Sequence, residues 1–221
     1  MDLAGRAMVE WSLDALSAAA AIGPIIVAVP PESLVACRSS LGDATLVEGG
    51  SARSQSVRNG LERVETDVVA VHDAARPLVT PELVDALVEE LFNRPDAAAV
   101  IAAAPLTDTV KRAREPRGKG GEVARGGPTV GETLSRDHLW AAQTPQVFRT
   151  EALREAIDAD PQRLAAATDD AWLLEKAGGK VLILHSPAEN LKVTTPTDLR
   201  IAGLLLENRR RAPGTRADPP A

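Results

Sequence analysis

The chain has 221 residues, 44% of them hydrophobic, and its 25 Lys plus Arg against 31 Asp plus Glu give a formal net charge of −6. This length is enough for one sizeable core, and the negative charge argues against a general nucleic-acid-binding protein. With no apolar run long enough for a membrane span and no secretory signal pattern in residues 1–10, we expect neither a membrane protein nor a secreted one. The single cysteine, Cys37, excludes an internal disulfide and indicates a reducing compartment, which predicts a cytoplasmic protein.

Helices and strands alternate along the chain. Apolar spacing and capping residues predict helices over about residues 8–21, 53–64, 80–91, 151–158, 169–177 and 195–206. Short apolar and β-branched runs predict strands at residues 25–29, 45–48, 67–72, 98–102 and 181–184. This alternation predicts an α/β doubly wound fold whose mainly parallel sheet is covered by helices on both faces.

Two segments depart from the alternation. Residues 113–131 are rich in glycine and basic side chains and almost free of apolar ones, which is typical of a functional arm or of disorder. Residues 208–221, rich in Arg, Pro and Ala, predict a flexible tail. We expect the remainder, residues 1–207, to form a single domain that carries an arm at about residues 112–136.

Charged residues follow the predicted strand 67–72. Asp73 and Arg76 leave the sheet where ligands bind in open α/β folds, and the small Ala74 and Ala75 allow a ligand to approach the backbone. A surface Asp–Arg pair that closes a turn is an equally good interpretation of position alone.

A glycine-rich loop, residues 49–56, joins the strand at 45–48 to the next helix. Its glycines, hydroxyls and unpaired helix N–H groups suit a base, a ribose or a phosphate. Such turns also occur for purely steric reasons, so this signal is weak by itself.

Three further segments carry polar side chains. Residues 108–112 and 132–136 predict a hairpin that flanks the arm. Their spacing slightly favours a hairpin whose Lys and Arg only keep it soluble over one with a functional role. Lys192 lies directly before a capped helix, where an exposed lysine is unremarkable but a partly buried one needs an anion. Asp169 and Asp170 are typical of a helix cap.

Taken in order, these segments resemble the family of 2-C-methyl-D-erythritol 4-phosphate cytidylyltransferases over about residues 3–206. The motifs that carry the resemblance are Gly49-Gly50-x-x-Arg53-x-x-Ser56, His72-Asp73-Ala74-Ala75-Arg76-Pro77, Asp108-Thr109-x-Lys111, Thr144-Pro145-Gln146, Thr168-Asp169 and Asn190-x-Lys192-Val193-Thr194. The resemblance implies a nucleotide-diphospho-sugar transferase-like fold with a protruding β-arm. It also implies transfer of CMP from CTP to methylerythritol phosphate in isoprenoid biosynthesis, with release of diphosphate.

The resemblance further implies roles for individual residues. Catalytic roles fall on Arg136 and Lys192, which would hold the methylerythritol phosphate for in-line attack. Additional substrate contacts fall on Arg76, Thr109, Thr144 and Thr168. The nucleotide would contact Gly50, Ser51, Ser56, Asp73 and Ala74.

A divalent metal and a second subunit are also implied. The three histidines have no ligand-like spacing, which argues against a transition metal held by the protein and favours a metal that arrives with a substrate. The resemblance implies that this metal is Mg²⁺, bound with CTP and close to Asp73. The arm would interlock with a second copy of the chain, so that Thr109 and Arg136 serve the neighbour's site in a homodimer.

The sequence departs from the family at its start. Members begin with a strand and a glycine-rich phosphate loop that carries an Arg, followed by a Pro-Lys pair, whereas this sequence starts at Met1-Asp2-Leu3. We therefore expect Met1 to be an internal methionine and the chain as written to have little or no activity. A pentitol-phosphate cytidylyltransferase and a non-catalytic dimerising relative remain as alternatives, which turnover with each acceptor and CTP binding would separate.

Overall fold

The computed structural model describes residues 1–38, 40–114 and 127–211. Its strands are β1 (Asp2–Leu3), β2 (Arg6–Ala7), β3 (Ile26–Val29), β4 (Thr45–Glu48), β5 (Val68–Val71), β6 (Ala99–Pro105), β7 (Lys111–Arg114), β8 (Thr129–Thr133), β9 (Trp140–Arg149) and β10 (Val181–His185). Its helices are α1 (Met8–Ala18), α2 (Leu34–Cys37), α3 (Arg53–Leu61), α4 (Pro81–Asn93), α5 (Thr150–Asp158), α6 (Pro161–Ala166), α7 (Asp170–Lys176) and α8 (Pro196–Arg211). Each predicted helix and strand is present, with its ends shifted by a few residues.

The central sheet is mixed and has the strand order β10-β6-β9-β5. β10 is parallel to β6, whereas β9 is antiparallel to both β6 and β5, so three of the four strands run in one direction. β3 and β4 form a separate parallel pair. The α/β class is confirmed, and β9 is the strand that makes the sheet mixed rather than wholly parallel.

β9 was not predicted, because its sequence does not look like a buried strand. Gln143, Thr144, Pro145 and Gln146 interrupt the apolar pattern, and proline within a run normally argues against a central strand. The ladder to β6 is irregular between Ile101 and Ala103, opposite this polar segment. The side chains of Gln143, Thr144 and Gln146 are nevertheless buried.

Two hydrophobic clusters lie on opposite faces of the sheet. On one face Phe148 packs with residues of α5 and α7, and on the other Val147 packs with Leu87 and Leu91 of α4. Adjacent residues of one strand enter different clusters because side chains alternate across a sheet. This arrangement is the double covering by helices that the sequence predicted.

A third cluster joins the start of the chain to its last helix. Leu3, Leu78 and Val193 are buried there against Ala202 and Leu206 of α8. The cluster lies directly beneath the segment that carries Lys192.

Helix α8 is longer than predicted. It continues to Arg211, so the expectation of a flexible tail from residue 208 is wrong for residues 208–211, and residues 212–221 lie outside the described residues. The guanidinium of Arg210 lies 4.6 Å from the Trp11 ring centroid, and that of Arg6 lies 4.9 Å from it. The Arg210 contact favours the added helical turn because it holds a basic side chain of that turn against Trp11 of α1.

The predicted hairpin is formed by β7 and β8, which pair antiparallel. Exposed contacts link its strands, with Arg112 paired to Glu132 at 2.7 Å and Lys111 bonded to Thr133 at 2.7 Å. The rest of the predicted arm, residues 115–126, lies outside the described residues. Among the helices of the described ranges, none is both long and apolar enough to cross a membrane.

Candidate active site

Asp73 is the centre of a polar cluster just beyond the carboxyl end of β5. The Lys192 Nζ atom lies 2.8 Å from its Oδ2, and the Arg53 Nε atom lies 2.9 Å from its Oδ1. The Asp73 backbone N–H donates to the Thr144 hydroxyl at 2.9 Å. Three segments far apart in the sequence therefore converge on one carboxylate.

The two cations keep the Asp73 carboxylate ionised. Burial by itself raises the pKa of this group, but the hydrogen bonds and charges of Lys192 and Arg53 outweigh burial and lower the pKa to about 2. At neutral pH Asp73 is therefore a fixed negative charge that orients both cations.

Arg76 is a second cation at the same strand end. Its Nη1 donates to the Asn190 carbonyl at 2.8 Å and its Nη2 to the Ala142 carbonyl at 3.3 Å. Burial lowers the pKa of Arg76, an effect that the Asp73 charge partly opposes. Because carbonyl dipoles rather than a carboxylate hold this guanidinium, its charge is available to a bound anion.

The segment that carries Lys192 is fixed beside Arg76. The Val193 N–H donates to the Ala75 carbonyl at 2.8 Å, and the Asn190 side chain donates to the Thr144 carbonyl at 2.9 Å. Asn190 is 1% exposed, whereas the Lys192 side chain is 43% exposed. A buried amide thus anchors the segment, and the ammonium that follows it faces solvent.

Thr144 is 4% exposed and lies behind Asp73. His72 Nε2 lies 3.1 Å from the Arg76 carbonyl, which only accepts, so we assign the ring proton to Nε2. Burial lowers the pKa of His72 to about 4, so the ring is neutral at pH 7 and its Nδ1 accepts from the Thr144 hydroxyl at 3.1 Å. The substrate contact predicted at Thr144 is thereby restricted to accepting a hydrogen bond, because its own proton is already used.

The glycine-rich loop follows β4 and begins the helix that carries Arg53. The Gly50 N–H donates to the Ser56 hydroxyl at 3.0 Å, which folds the loop back onto α3. A Cβ atom at Gly50 would lie 2.1 Å from Gln55 Cγ, so the close approach of the chain requires glycine there. Ser51 is exposed at the mouth of this loop, as Ala74 is beside Asp73.

The first residue of α3 joins this loop to the Asp73 cluster. The Arg53 Nη1 atom lies 2.7 Å from Asp170 Oδ2, while its Nε atom contacts Asp73. Thr168 is exposed two residues before Asp170. The predicted nucleotide loop, the Asp73 cluster and the Thr168 segment are therefore neighbours.

Thr109 and Arg136 lie elsewhere, at the base of the hairpin. Both are exposed, and Arg136 donates to the Thr107 carbonyl. Within the described ranges, the recorded contacts do not join either residue to the Asp73 cluster of the same chain.

Comparisons with known proteins show the family of the chain. The sequence profile of the family "IspD: 2-C-methyl-D-erythritol 4-phosphate cytidylyltransferase" matches residues 1–208. The chain belongs to this cytidylyltransferase family.

Individual relatives cover nearly the whole chain. A 2-C-methyl-D-erythritol 4-phosphate cytidylyltransferase of Prochlorococcus marinus is 39% identical over 215 residues, which are 95% of this chain and 89% of that protein. The bifunctional enzyme IspD/IspF of Anaeromyxobacter dehalogenans is 41% identical over 209 residues. This match spans 93% of our chain and 51% of that enzyme. The crystal structure of the Thermus thermophilus cytidylyltransferase has a TM-score of 0.76 and 32% identity, covering 93% of this chain and 92% of that one.

Membership of the family settles the class of reaction. Cytidylyltransferases are nucleotidyltransferases, and the family carries out CTP-dependent cytidylyl transfer in isoprenoid biosynthesis. The expected enzyme class is confirmed. The alternative hypotheses, a pentitol-phosphate cytidylyltransferase and a non-catalytic relative, are not favoured.

Sequence reasoning gave no role to several residues that the cytidylyltransferase fold brings into the cluster. These residues are His72, Gln143, Asn190, Arg53 and Asp170. One signal was available for Arg53, because a cation in the first turn of a helix opposes the helix dipole and needs an anionic partner. Asp170 was interpreted only as part of a cap, a role that Asp169 fills by accepting from the Trp172 N–H at 2.9 Å.

Proposed function

We propose that Lys192 and Arg76 hold the phosphate of 2-C-methyl-D-erythritol 4-phosphate while its oxygen attacks the α-phosphorus of CTP. The observation that carries this assignment is their convergence at the end of β5, with Lys192 Nζ 2.8 Å from Asp73 and Arg76 fixed by the Asn190 carbonyl. The Lys192 side chain is 43% exposed whereas that of Asp170 is 1% exposed, so a positive charge faces solvent at this strand end. This exposed positive charge favours an anionic ligand.

The chemistry needs positioning rather than a base. A phosphate monoester is already an anionic nucleophile at neutral pH. One of its oxygens forms a bond to the α-phosphorus, and the bond from that phosphorus to the bridging oxygen breaks, so the electron pair leaves with diphosphate. Fixed cations lower the repulsion between the two anions and neutralise charge that develops in the transition state.

We assign nucleotide binding to the loop that holds Gly50, Ser51 and Ser56 and to the Asp73-Ala74 pair. The exposed loop backbone and its hydroxyls support this assignment. The described residues contain no group of three or more potential metal ligands, so a dedicated metal cage does not fit. An ionised Asp73 does fit Mg²⁺ carried by the triphosphate, where the metal would neutralise phosphate charge.

We further propose that the β7–β8 hairpin joins two copies of the chain. Thr109 and Arg136 then act in the partner's site, whereas Thr168 contacts the acceptor in the site of its own chain. The exposure of Thr109 and Arg136 at the hairpin base, away from Asp73, supports this division. We assign the enzyme to the cytoplasm, where CTP is made and a lone cysteine stays reduced.

The test is the binding of methylerythritol phosphate to the 221-residue chain, measured by isothermal titration calorimetry. Lys192→Ala should weaken binding by more than about tenfold, which corresponds to about 1.4 kcal/mol. Lys180→Ala, which removes a surface lysine paired with Asp96, is the matched control and should leave affinity unchanged. Equal affinities for wild type and Lys192→Ala would remove Lys192 from the site, and equal binding of a pentitol phosphate would reopen the choice of acceptor.

A further inference from the structure

Arg53 occupies a position that is unfavourable for a free cation. It is the first residue of α3, where the helix dipole repels positive charge. Its side chain nevertheless stays 35% exposed, and its guanidinium contacts two carboxylates, Asp73 at 2.9 Å and Asp170 at 2.7 Å. The two carboxylates offset the repulsion between the guanidinium and the helix dipole, and they also fix the direction in which the guanidinium points.

Asp170 is the buried end of this arrangement. Its side chain is 1% exposed, and its Oδ1 atom has no hydrogen-bond partner among the residues that the structure describes. A buried carboxylate that lacks a full set of partners is costly, so Asp170 holds its cation firmly. Arg53 is therefore anchored from the core side rather than from solvent.

Four charges of alternating sign then run from the core to the surface. Asp170 holds Arg53, Arg53 holds Asp73, and Asp73 holds Lys192, with side-chain exposures of 1%, 35%, 14% and 43% along the series. Lys192 has a flexible stem with several rotatable bonds, and one contact with a mobile carboxylate would not fix it. The Asp73 carboxylate can fix the Lys192 ammonium because Arg53 holds its other oxygen.

We propose that Arg53 and Asp170 are positioning residues, which act through Asp73 to hold the Lys192 ammonium where the acceptor phosphate binds. The inference rests on the proposed function of Lys192. It assigns Arg53 no contact with substrate, and it explains why the arginine of the nucleotide loop points toward the acceptor side of the site. The alternative is a purely structural pair that fastens α3 to α7.

A double-mutant cycle separates the two roles. Arg53→Met should weaken the binding of methylerythritol phosphate by about tenfold, since Asp73 is then held on one side only. In the Lys192→Ala background the same change should have an effect of less than about twofold, because there is no ammonium left to position. A merely structural role would give independent losses that multiply in the double variant.

Two conservative variants protect the test against loss of folding. Arg53→Lys keeps the charge but reaches one carboxylate rather than two, so it should restore part of the affinity. Asp170→Asn keeps the buried volume and removes the anchoring charge, so it should reproduce the loss. Arg58→Met, on the same helix in an exposed pair with Asp158 at 3.1 Å, should change nothing.

The outcomes are distinct. If Lys192→Ala leaves affinity unchanged, the proposed function itself fails. If Lys192→Ala weakens binding but the Arg53 and Lys192 losses multiply, or if folded Asp170→Asn binds like wild type, Arg53 does not position Lys192.

Discussion

At the scale of single residues, the hydroxyl of Thr144 shows how one side chain sets the geometry of several others. It accepts from the Asp73 N–H and donates to the neutral His72 ring, so both its proton and one lone pair are committed. The position of Asp73, on which Arg53 and Lys192 depend, therefore rests on a buried threonine.

Thr144→Val tests this role with almost no change in volume. The substitution leaves the Asp73 N–H without its acceptor and His72 without its donor, so we expect the free energy of unfolding to fall by about 1–3 kcal/mol. Urea denaturation measures the change. Thr144→Ser, which keeps the hydroxyl, should lose much less. A loss in Thr144→Ser that equals or exceeds the loss in Thr144→Val would show that the hydroxyl does not set the stability at this position.

Some of these residues could be predicted from the sequence and others could not. Position along the chain made Asp73, Arg76 and Lys192 candidates for ligand contacts but left a purely structural interpretation open, and the resemblance to the family supplied their roles. The contact between Arg53 and Asp170 joins positions 117 residues apart, and local patterns carry no information about such a partner. The assignment of the Thr144 proton needs the neighbouring carbonyl and ring, which only the fold supplies.

At the scale of elements, the strands and helices with regular apolar spacing were predicted and β9 was not. β9 is central because it pairs with both β5 and β6, yet its polar residues serve the site rather than the core. The polar residues and the proline of β9 locally disfavour a central strand, although the fold places β9 there. Sequence patterns therefore do not predict this strand.

The β7–β8 hairpin is the element whose proposed role is easiest to remove. Replacing residues 112–136 with a short Gly-Ser link should convert a dimer into a monomer, because the proposed contact between subunits lies on the arm. Size-exclusion chromatography with light scattering measures the mass, and circular dichroism checks that the rest stays folded. A folded variant that remains dimeric would place the contact elsewhere.

At the scale of the whole molecule, stability should depend on pH through two groups of the same site. Burial lowers the pKa of His72 from its ordinary 6.5 to about 4. As pH falls from 6.5 to 4, the unfolded chain binds a proton that the folded chain does not, and the folded state loses stability. For Asp73, with its pKa lowered from 3.8 to about 2, stability present above pH 4 is lost only as pH falls toward 2.

His72→Asn isolates the first of these effects. Between pH 7.5 and 5.0 the wild type should lose about 2 kcal/mol of unfolding free energy to His72 alone, and the variant should lack this part of the slope. Urea denaturation at the two pH values gives both numbers, with His138→Asn, at an exposed position, as the control. The same slope in all three proteins would mean that His72 titrates alike in the folded and unfolded chains.

The third hydrophobic cluster connects α8 to the segment that carries Lys192. Val193 is buried against Ala202 and Leu206, and the neighbouring Lys192 projects from the opposite side of the same short segment. Because Lys192 directly precedes Val193, the packing of α8 helps to fix the position of the Lys192 backbone. The proposed acceptor site therefore depends on the last 16 described residues of the fold as well as on the sheet.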